Sequence, residues 1–333
     1  VIRYIIACVA LSISTLQCAN GANEHIAVIG GGISGFSCAS LCVSMGFPTV
    51  LCDVHSPHKD RQKQIENWPG TSPISWDGAL AKVKDQFVAH KGRILESEVV
   101  KITKNGTGFI VETAKETIRV RAVVIATGQK NAELPYLVPQ EAAIVHCLRD
   151  VLGFSPTDSV VVVGTGDAAV LAGVKLACRV QSVAVLYRNS CSASFLQLAA
   201  KLSNIETPRQ VKLHKISANT DRGIVEYSIG SSRLSKSGTK IVLAEDRVPC
   251  SMLVKDLVDC DSSKAIITSG EAGTTSCAGI FACGEVTCSS GISASRATAE
   301  GLDTGWSVCR YLIEQGVVPI KPVVISSEPA PQK

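Results

Sequence analysis

The sequence predicts an α/β protein assembled from βαβ units, and three observations carry that prediction. Two stretches, "EHIAVIGGGISGFSCAS" and "DSVVVVGTGDAAVLAGVKLA", each begin as a β-branched apolar run, turn through glycines and continue with small and apolar residues at helical spacing. That succession of strand, tight turn and helix opens a βαβ unit. Each is followed by a second short apolar run, "PTVLCD" and "SVAVLYRN", placed to be the next parallel strand. The 333 residues, 46% hydrophobic and 19% charged, suit a well-packed chain of about two domains.

At the N-terminus, Arg3 precedes an apolar run from Tyr4 to Leu16 and small residues ending in "ANGA". These are the three parts of a secretory signal peptide, and the run is too short to span a bilayer comfortably. Residues 1–22 are therefore read as a signal peptide cleaved near Gly21 or Ala22. An uncleaved anchor, or a start lying upstream of Val1, is the alternative. A true signal places the protein in the secretory pathway or outside the cytoplasm; otherwise it belongs in the cytoplasm.

Between the two glycine turns come a polar loop from Val54 to Gln64 and a helical stretch, "WDGALAKVKDQFVAH". The alternating segments "GFIVETA" and "TIRVRAVVIATG" then read as an antiparallel excursion returning to the parallel sheet. Within that excursion "NGT" at Asn105 has the form of a glycosylation sequon, which a simple Asn-Gly turn also explains. Near the end, "AGIFACGEV" and the helix "SRATAEGLDTGWSVCRYLIEQG" close the fold, and residues 323–333 form a loose tail.

Net charge is +4 with 5% aromatic residues and no basic run interleaved with aromatics, a pattern that argues against nucleic acid as a partner. Of the 14 cysteines none are spaced CxxC. Several, such as Cys38, Cys42 and Cys178, lie inside apolar segments and read as packed thiols. No spacing matches a metal site.

The first turn places Gly30, Gly32 and Gly35 as GxGxxG. The first glycine permits the turn, the second lets backbone approach a pyrophosphate, and the third lets helix and strand pack closely. Asp53 stands at the end of the next strand, where a carboxylate accepts hydrogen bonds from an adenosine ribose. The second turn places Gly164, Gly166 and Ala169 as GxGxxA, with Asp167 and Ala168 between. Its following strand ends in "LYRN", offering Arg188 to a 2′-phosphate and thus favouring NADPH over NADH.

With these motifs in order, the sequence from about Glu24 to Leu312 resembles the low-molecular-weight thioredoxin reductase family of flavoproteins. "VIGGGISG" resembles the family's FAD pyrophosphate turn, with Ser34 among the contacts, and "IENWPG" its segment beside the flavin, suggesting Asn67 near the ring. "VVIATG", with Thr127 and Gly128, is similar to the strand and turn that close the FAD domain. "GIFACGEV" resembles the late flavin motif, with Gly284 and with Glu285 where an Asp usually meets the ribityl chain. "SRATAEG" resembles the helix start beneath the flavin, placing Arg296 and Ala297 there. The resemblance implies two Rossmann-like dinucleotide-binding domains of three layers, the second inserted in the first. The FAD domain would comprise residues 23–143 and 271–322, the NAD(P)H domain residues 144–270. It implies FAD and NADPH as cofactors, two domains that rotate against each other, and a homodimer.

The family's redox centre is a CxxC followed by Asp just before the second turn. Here the sequence reads "HCLRD", and Cys147 stands near the first or the second position of the motif according to a one-residue gap. A dithiol relay needs a second sulfur to resolve the mixed disulfide. Three readings of Cys147 compete: a packed thiol, a single catalytic thiolate whose pKa His146 and Arg149 would lower, and half of a disulfide to a distant cysteine.

The leading expectation is an FAD-dependent NAD(P)H oxidoreductase passing electrons directly to a small disulfide, a quinone or a redox protein, as do relatives without CxxC such as ferredoxin-type NADP reductases and bacillithiol-disulfide-reductase-like proteins. The alternatives are a flavin-dependent thiol oxidase of the secretory pathway and a non-catalytic FAD-binding protein derived from a reductase.

Overall fold

The computed structural model describes residues 24–54, 64–65, 68–132, 139, 141–145, 153–245, 247–269, 272–288 and 293–320. The leader, Asn67, Cys147 and the tail 323–333 lie outside them. Two five-stranded parallel sheets organise the chain.

The first sheet has Ile26–Ile29 at its centre, paired in parallel with Thr49–Asp53 on one side and Ala122–Ile125 on the other; Arg93–Glu96 and Ile280–Ala282 form its edges. The central strands are buried along their whole length, as expected of a parallel sheet covered on both faces. One face carries helix α1 (Ile33–Ser44) and, at the far end of the chain, the long helix Ala294–Glu314. These two pack closely because small residues meet: a Cβ at Gly301 would stand 2.3 Å from the Ser34 carbonyl oxygen. The other face is covered by the antiparallel sheet of Val99–Asn105, Gly108–Thr113 and Thr117–Val120, whose Val99, Ile102, Phe109 and Val111 share a core with Ala27 and Val123. Asn105-Gly106 makes its first turn, with Gly106 at φ +59°.

Helix α2 (Trp76–Ala89) lies beside α1, and its start is fixed by Ser75, whose Oγ accepts the Gly78 N–H at 3.1 Å. An N-cap of this kind contributes about 1 kcal/mol.

The second parallel sheet centres on Ser159–Thr165, between Lys240–Ala244 and Ser182–Arg188, with Ile144–Val145 and Ile205–Gln210 outermost. Helix α3 (Gly166–Ala177) and the short helix α4 (Ala193–Ala199) cover one face. A second antiparallel sheet, Lys212–Ala218, Gly223–Ile229 and Ser232–Gly238, covers the other. Each unit is thus three layers, and the last helix among the described residues is α5 (Ala294–Glu314). A two-stranded antiparallel ribbon, Gln129–Asn131 with Arg247–Pro249, joins the two segments that connect the sheets. No helix among the described residues is long and apolar enough to cross a membrane.

Candidate functional site: two carboxyl edges

In open parallel sheets ligands bind beyond the carboxyl ends of the strands. At the first sheet that edge gathers Gly30, Gly32, Ser34, Gly35, Asp53, Thr127, Gly128, Gly284 and Glu285, each at or just after the end of a strand or within the first turn of α1. Gly30 has φ +110°, and a Cβ there would stand 2.3 Å from the Ala126 carbonyl oxygen. A Cβ at Gly35 would meet the Gly30 carbonyl oxygen at 2.0 Å. Gly32 differs, because nothing lies within 4 Å of a Cβ placed on it. It is also the N-cap of α1, which has no side-chain cap and no acidic residue in its first turn. Helix N–H groups with open space before them are what a pyrophosphate requires. The carboxylate of Asp53 accepts the Gly31 N–H at 3.1 Å, so it stands at the mouth of this turn. FAD fits this edge by these clearances and donors.

The remaining sides are held by hydrogen bonds across long sequence separations. Thr127 Oγ1 donates to the Cys250 carbonyl at 2.7 Å, and the Cys250 N–H donates to the Gly128 carbonyl at 2.9 Å. Burial pushes the Cys250 thiol upward against the opposing pull of Lys130 and Arg247. Both carboxylate oxygens of Glu285 accept from Arg247 Nη1 at 2.8 Å, while Arg247 Nη2 donates to the Gln129 carbonyl at 3.0 Å. Glu285 is thus engaged by the protein itself. Arg247 Nε and Gln129 Oε1 are buried and have no partner among the described residues, so polar capacity remains at this edge. Arg296 Nε donates to Glu300 at 2.7 Å, and the other Glu300 oxygen accepts the Gly284 N–H at 3.1 Å. Arg296 therefore orders the Gly284 turn through Glu300. Ala297 is buried beside Ile33, Ala79 and Ala294. Asn67 and Cys147 lie outside the described residues.

The second edge is built alike but furnished differently. A Cβ at Gly164 would meet the Ala244 carbonyl oxygen at 1.9 Å, and one at Gly166 the Ser190 carbonyl oxygen at 2.1 Å. Only glycine permits these strand ends and the following loop to approach so closely. The loop turns at Asn189, whose φ of +61° is tolerated by Asn more than by most residues. Asp167, in the first turn of α3, accepts from the Ser192 N–H and Oγ, each at 2.6 Å. Those donors hold its carboxyl below the usual range. Cys191, in the same loop, is pushed up to about 11 by burial and then by the Asp167 carboxylate. Ala168 follows on the helix and Ala169 is buried beneath it. Arg188 is ion-paired through Nη2 with Glu245. Its Nε, together with Thr165 Oγ1 on the neighbouring strand, is buried without a partner among the described residues. These orphaned polar groups beside a glycine turn fit a nicotinamide dinucleotide.

Sequence reasoning missed Arg247, Gln129, Glu245 and Glu300. Glu300 lies within "SRATAEG" itself, one helical turn beyond Arg296, whereas Arg247, Gln129 and Glu245 acquire their positions only through partners far along the chain.

Comparison with known proteins gives a consistent result. Residues 11–301 match the family described as "Pyridine nucleotide-disulphide oxidoreductase". A thioredoxin reductase of Treponema pallidum is 25% identical over 302 residues, covering 86% of this chain and 96% of that protein. A 34.2 kDa protein in the rubredoxin operon of Clostridium pasteurianum is 28% identical over 282 residues, covering 78% of this chain and 88% of its own length. Among solved structures, thioredoxin reductase from Streptococcus pyogenes superposes with a TM-score of 0.75 at 23% identity, covering 88% of this chain and all of that one, which shows a shared fold.

Proposed function

This chain belongs to the pyridine nucleotide-disulphide oxidoreductase family, and from that premise we propose that it carries reducing equivalents from NADPH through FAD directly to an external acceptor. It is a flavin-dependent NAD(P)H oxidoreductase of the thioredoxin reductase-like class, and the cofactors of that class are FAD and NADPH. When bound, those cofactors supply the hydride chemistry; the chain supplies binding, alignment and exclusion of water.

In this reading the FAD domain is discontinuous, residues 23–143 and 271–322 together with the segment carrying Val254, Val258 and Ile266, which shares the core of the first sheet, and the nucleotide domain is the remainder of residues 144–270. The open N-terminus of α1 at Gly32 holds the FAD pyrophosphate and Asp53 the adenosine ribose. Thr127, Gly128 and Gly284 line the path of the flavin, while Arg296 and Ala297 support it from α5. Arg247 fixes Glu285 at the end of that path. Gly164, Gly166, Asp167, Ala168 and Ala169 form the turn over which NADPH lies, with Arg188 near its adenosine.

The acceptor follows from the cysteines. With no pair spaced CxxC in the sequence, a relay through an internal dithiol lacks its resolving sulfur. Delivery straight from the flavin to a small disulfide, a quinone or a redox protein such as thioredoxin suits this chain better. A homodimer and, if the leader is a signal, a secretory location complete the proposal.

The observation that carries the reading is the pairing of two glycine turns at the carboxyl edges of two parallel sheets, the first with clear space at Gly32. The test is the visible spectrum of purified residues 23–333 before and after anaerobic NADPH. A flavin band that bleaches promptly supports it. A band that bleaches with thiols and not with NADPH turns the reading to a thiol oxidase, and failure to bind flavin overturns it.

A further inference from the structure

Arg188 ends the second strand of the βαβ unit that opens at Ser159, and in a dinucleotide-binding unit that strand end faces the 2′ position of the adenosine ribose. An arginine there recognises a 2′-phosphate when its guanidinium is available. Here the guanidinium reaches across the carboxyl edge to the far side of the glycine turn. Thr165, the register partner of Arg188, ends the central strand, and Glu245 follows Ala244 on the strand beyond it. Arg188 Nη2 and Glu245 Oε2 form an ion pair, with the Glu245 side chain only 5% exposed and that of Arg188 24% exposed. The pair therefore lies over the end of the central strand, beside Gly164 and Gly166.

We propose that Glu245 is a specificity-determining residue of the nucleotide site: by holding Arg188 it withholds the guanidinium from the 2′-phosphate and keeps the chain's preference for NADPH over NADH small. The inference rests on the reading of the second edge as the nicotinamide nucleotide site. Its physical basis is competition for one cation. A 2′-phosphate must either displace the glutamate from Arg188 or share the guanidinium with it, placing two anions together in a partly desolvated setting. Like charges at that range oppose each other. A ribose hydroxyl meets no such opposition and is indifferent to whether Arg188 is paired.

The test uses the FAD-loaded full chain and compares binding of adenosine 2′,5′-bisphosphate with that of adenosine 5′-monophosphate by titration calorimetry, with dissociation constants for NADPH and NADH alongside. Glu245→Gln keeps the side chain's shape and removes its charge. The ratio of 2′-phosphorylated to unphosphorylated affinity is expected to rise about tenfold, the scale of one charge-assisted contact regained. Arg188→Met, which leaves the Glu245 carboxylate facing the 2′-phosphate without its partner, is expected to lower the same ratio, and Glu245→Gln added to it to bring the ratio back to within about twofold of the unaltered protein, because a guanidinium held by the glutamate contributes little to the phosphate. If Glu245→Gln leaves the ratio unchanged while both probes bind, or if the double variant falls about tenfold below the unaltered protein, which would show that Arg188 already serves the phosphate, the inference is overturned and the nucleotide site stands. If neither probe binds the unaltered protein, the site reading and the inference fall together. Flavin content and thermal unfolding of each variant separate misfolding from either result, and should Glu245→Gln misfold alone, a double variant whose ratio lies about tenfold below that of the unaltered protein overturns the inference by itself.

Discussion

At the scale of single residues, the two kinds of glycine in the first turn answer to different physics. Gly30 is required by its own backbone: φ is +110° and a Cβ would press into the Ala126 carbonyl. Gly32 has φ −79° and open space around it, so any small residue suits the fold there. Gly30→Ala is expected to destabilise the apoprotein by at least about 1 kcal/mol, through strain at positive φ and the backbone clash. Gly32→Ala is expected to cost the apoprotein no more than about 1 kcal/mol, the difference between Gly and Ala at a helix N-cap, yet to weaken FAD retention because its methyl enters the space a pyrophosphate needs. Thermal unfolding of the stripped proteins and flavin content after purification measure the two effects. A Gly32→Ala protein that keeps FAD as the unaltered chain does would take Gly32 out of the site. The glycine pattern was legible in the sequence because both constraints exclude nearly every other residue type. The roles of Arg247 and Glu245 were not, since each depends on a partner 38 and 57 residues away, and a lone charge at a strand end reads as a solvated one.

At the scale of elements, the strands and helices followed from their apolar periods. "TVLCD" and "SVAVLYR" are strands Thr49–Asp53 and Ser182–Arg188, α1 and α3 occupy the two stretches with helical spacing after the glycine turns, and α2 and α5 the two other stretches read as helices. The sheet Lys212–Ala218, Gly223–Ile229 and Ser232–Gly238 escaped notice because its strands expose many charged and polar residues and carry no clean alternation. The start of α3 shows how an element and a loop are coupled. Asp167 stands in the first turn, where a carboxylate favours the helix dipole, and binds the loop through the Ser192 N–H and Oγ. Its pKa is lowered chiefly by the Ser192 hydroxyl. A carboxyl whose folded pKa lies below its unfolded value stabilises at pH above the unfolded value, about 4, and loses that stabilisation as pH falls through the folded value. The loop 189–192 is therefore expected to stay docked on α3 at neutral pH and to release in acid, below the range where an ordinary Asp titrates. Following the Ser192 amide by NMR between pH 7 and acid reads this directly; an amide that moves near pH 4 or above would separate the loop from Asp167. Asp167→Asn should abolish the transition.

At the scale of the whole molecule, the two parallel sheets are joined by two chain segments that pair as a ribbon, and one side chain ties that ribbon to the first sheet. Arg247 lies on the ribbon strand Arg247–Pro249, holds Glu285 just beyond the edge strand Ile280–Ala282, and also binds the Gln129 carbonyl on the opposite ribbon strand. Its guanidinium thus connects both joining segments with the last strand of the first sheet, and both members of the pair are largely removed from solvent, at 16% and 15% exposure. Removing one member strands the other's charge, which in a fully buried pair costs about 3 to 5 kcal/mol and at an exposed one less than about 1. For Arg247→Met an intermediate loss of roughly 2 kcal/mol is expected, and with it a loosening of the coupling between the two sheets. Calorimetry on the apoprotein tests the point, because a chain of two units unfolds as one transition only while the contacts between them hold. Arg247→Met should broaden or split the transition, and Glu285→Leu added to it should recover part of the loss by removing the stranded carboxylate. An Arg247→Met protein that unfolds at the original temperature in an unaltered transition would show that the backbone ribbon alone couples the sheets, with Arg247 contributing nothing beyond its own surface.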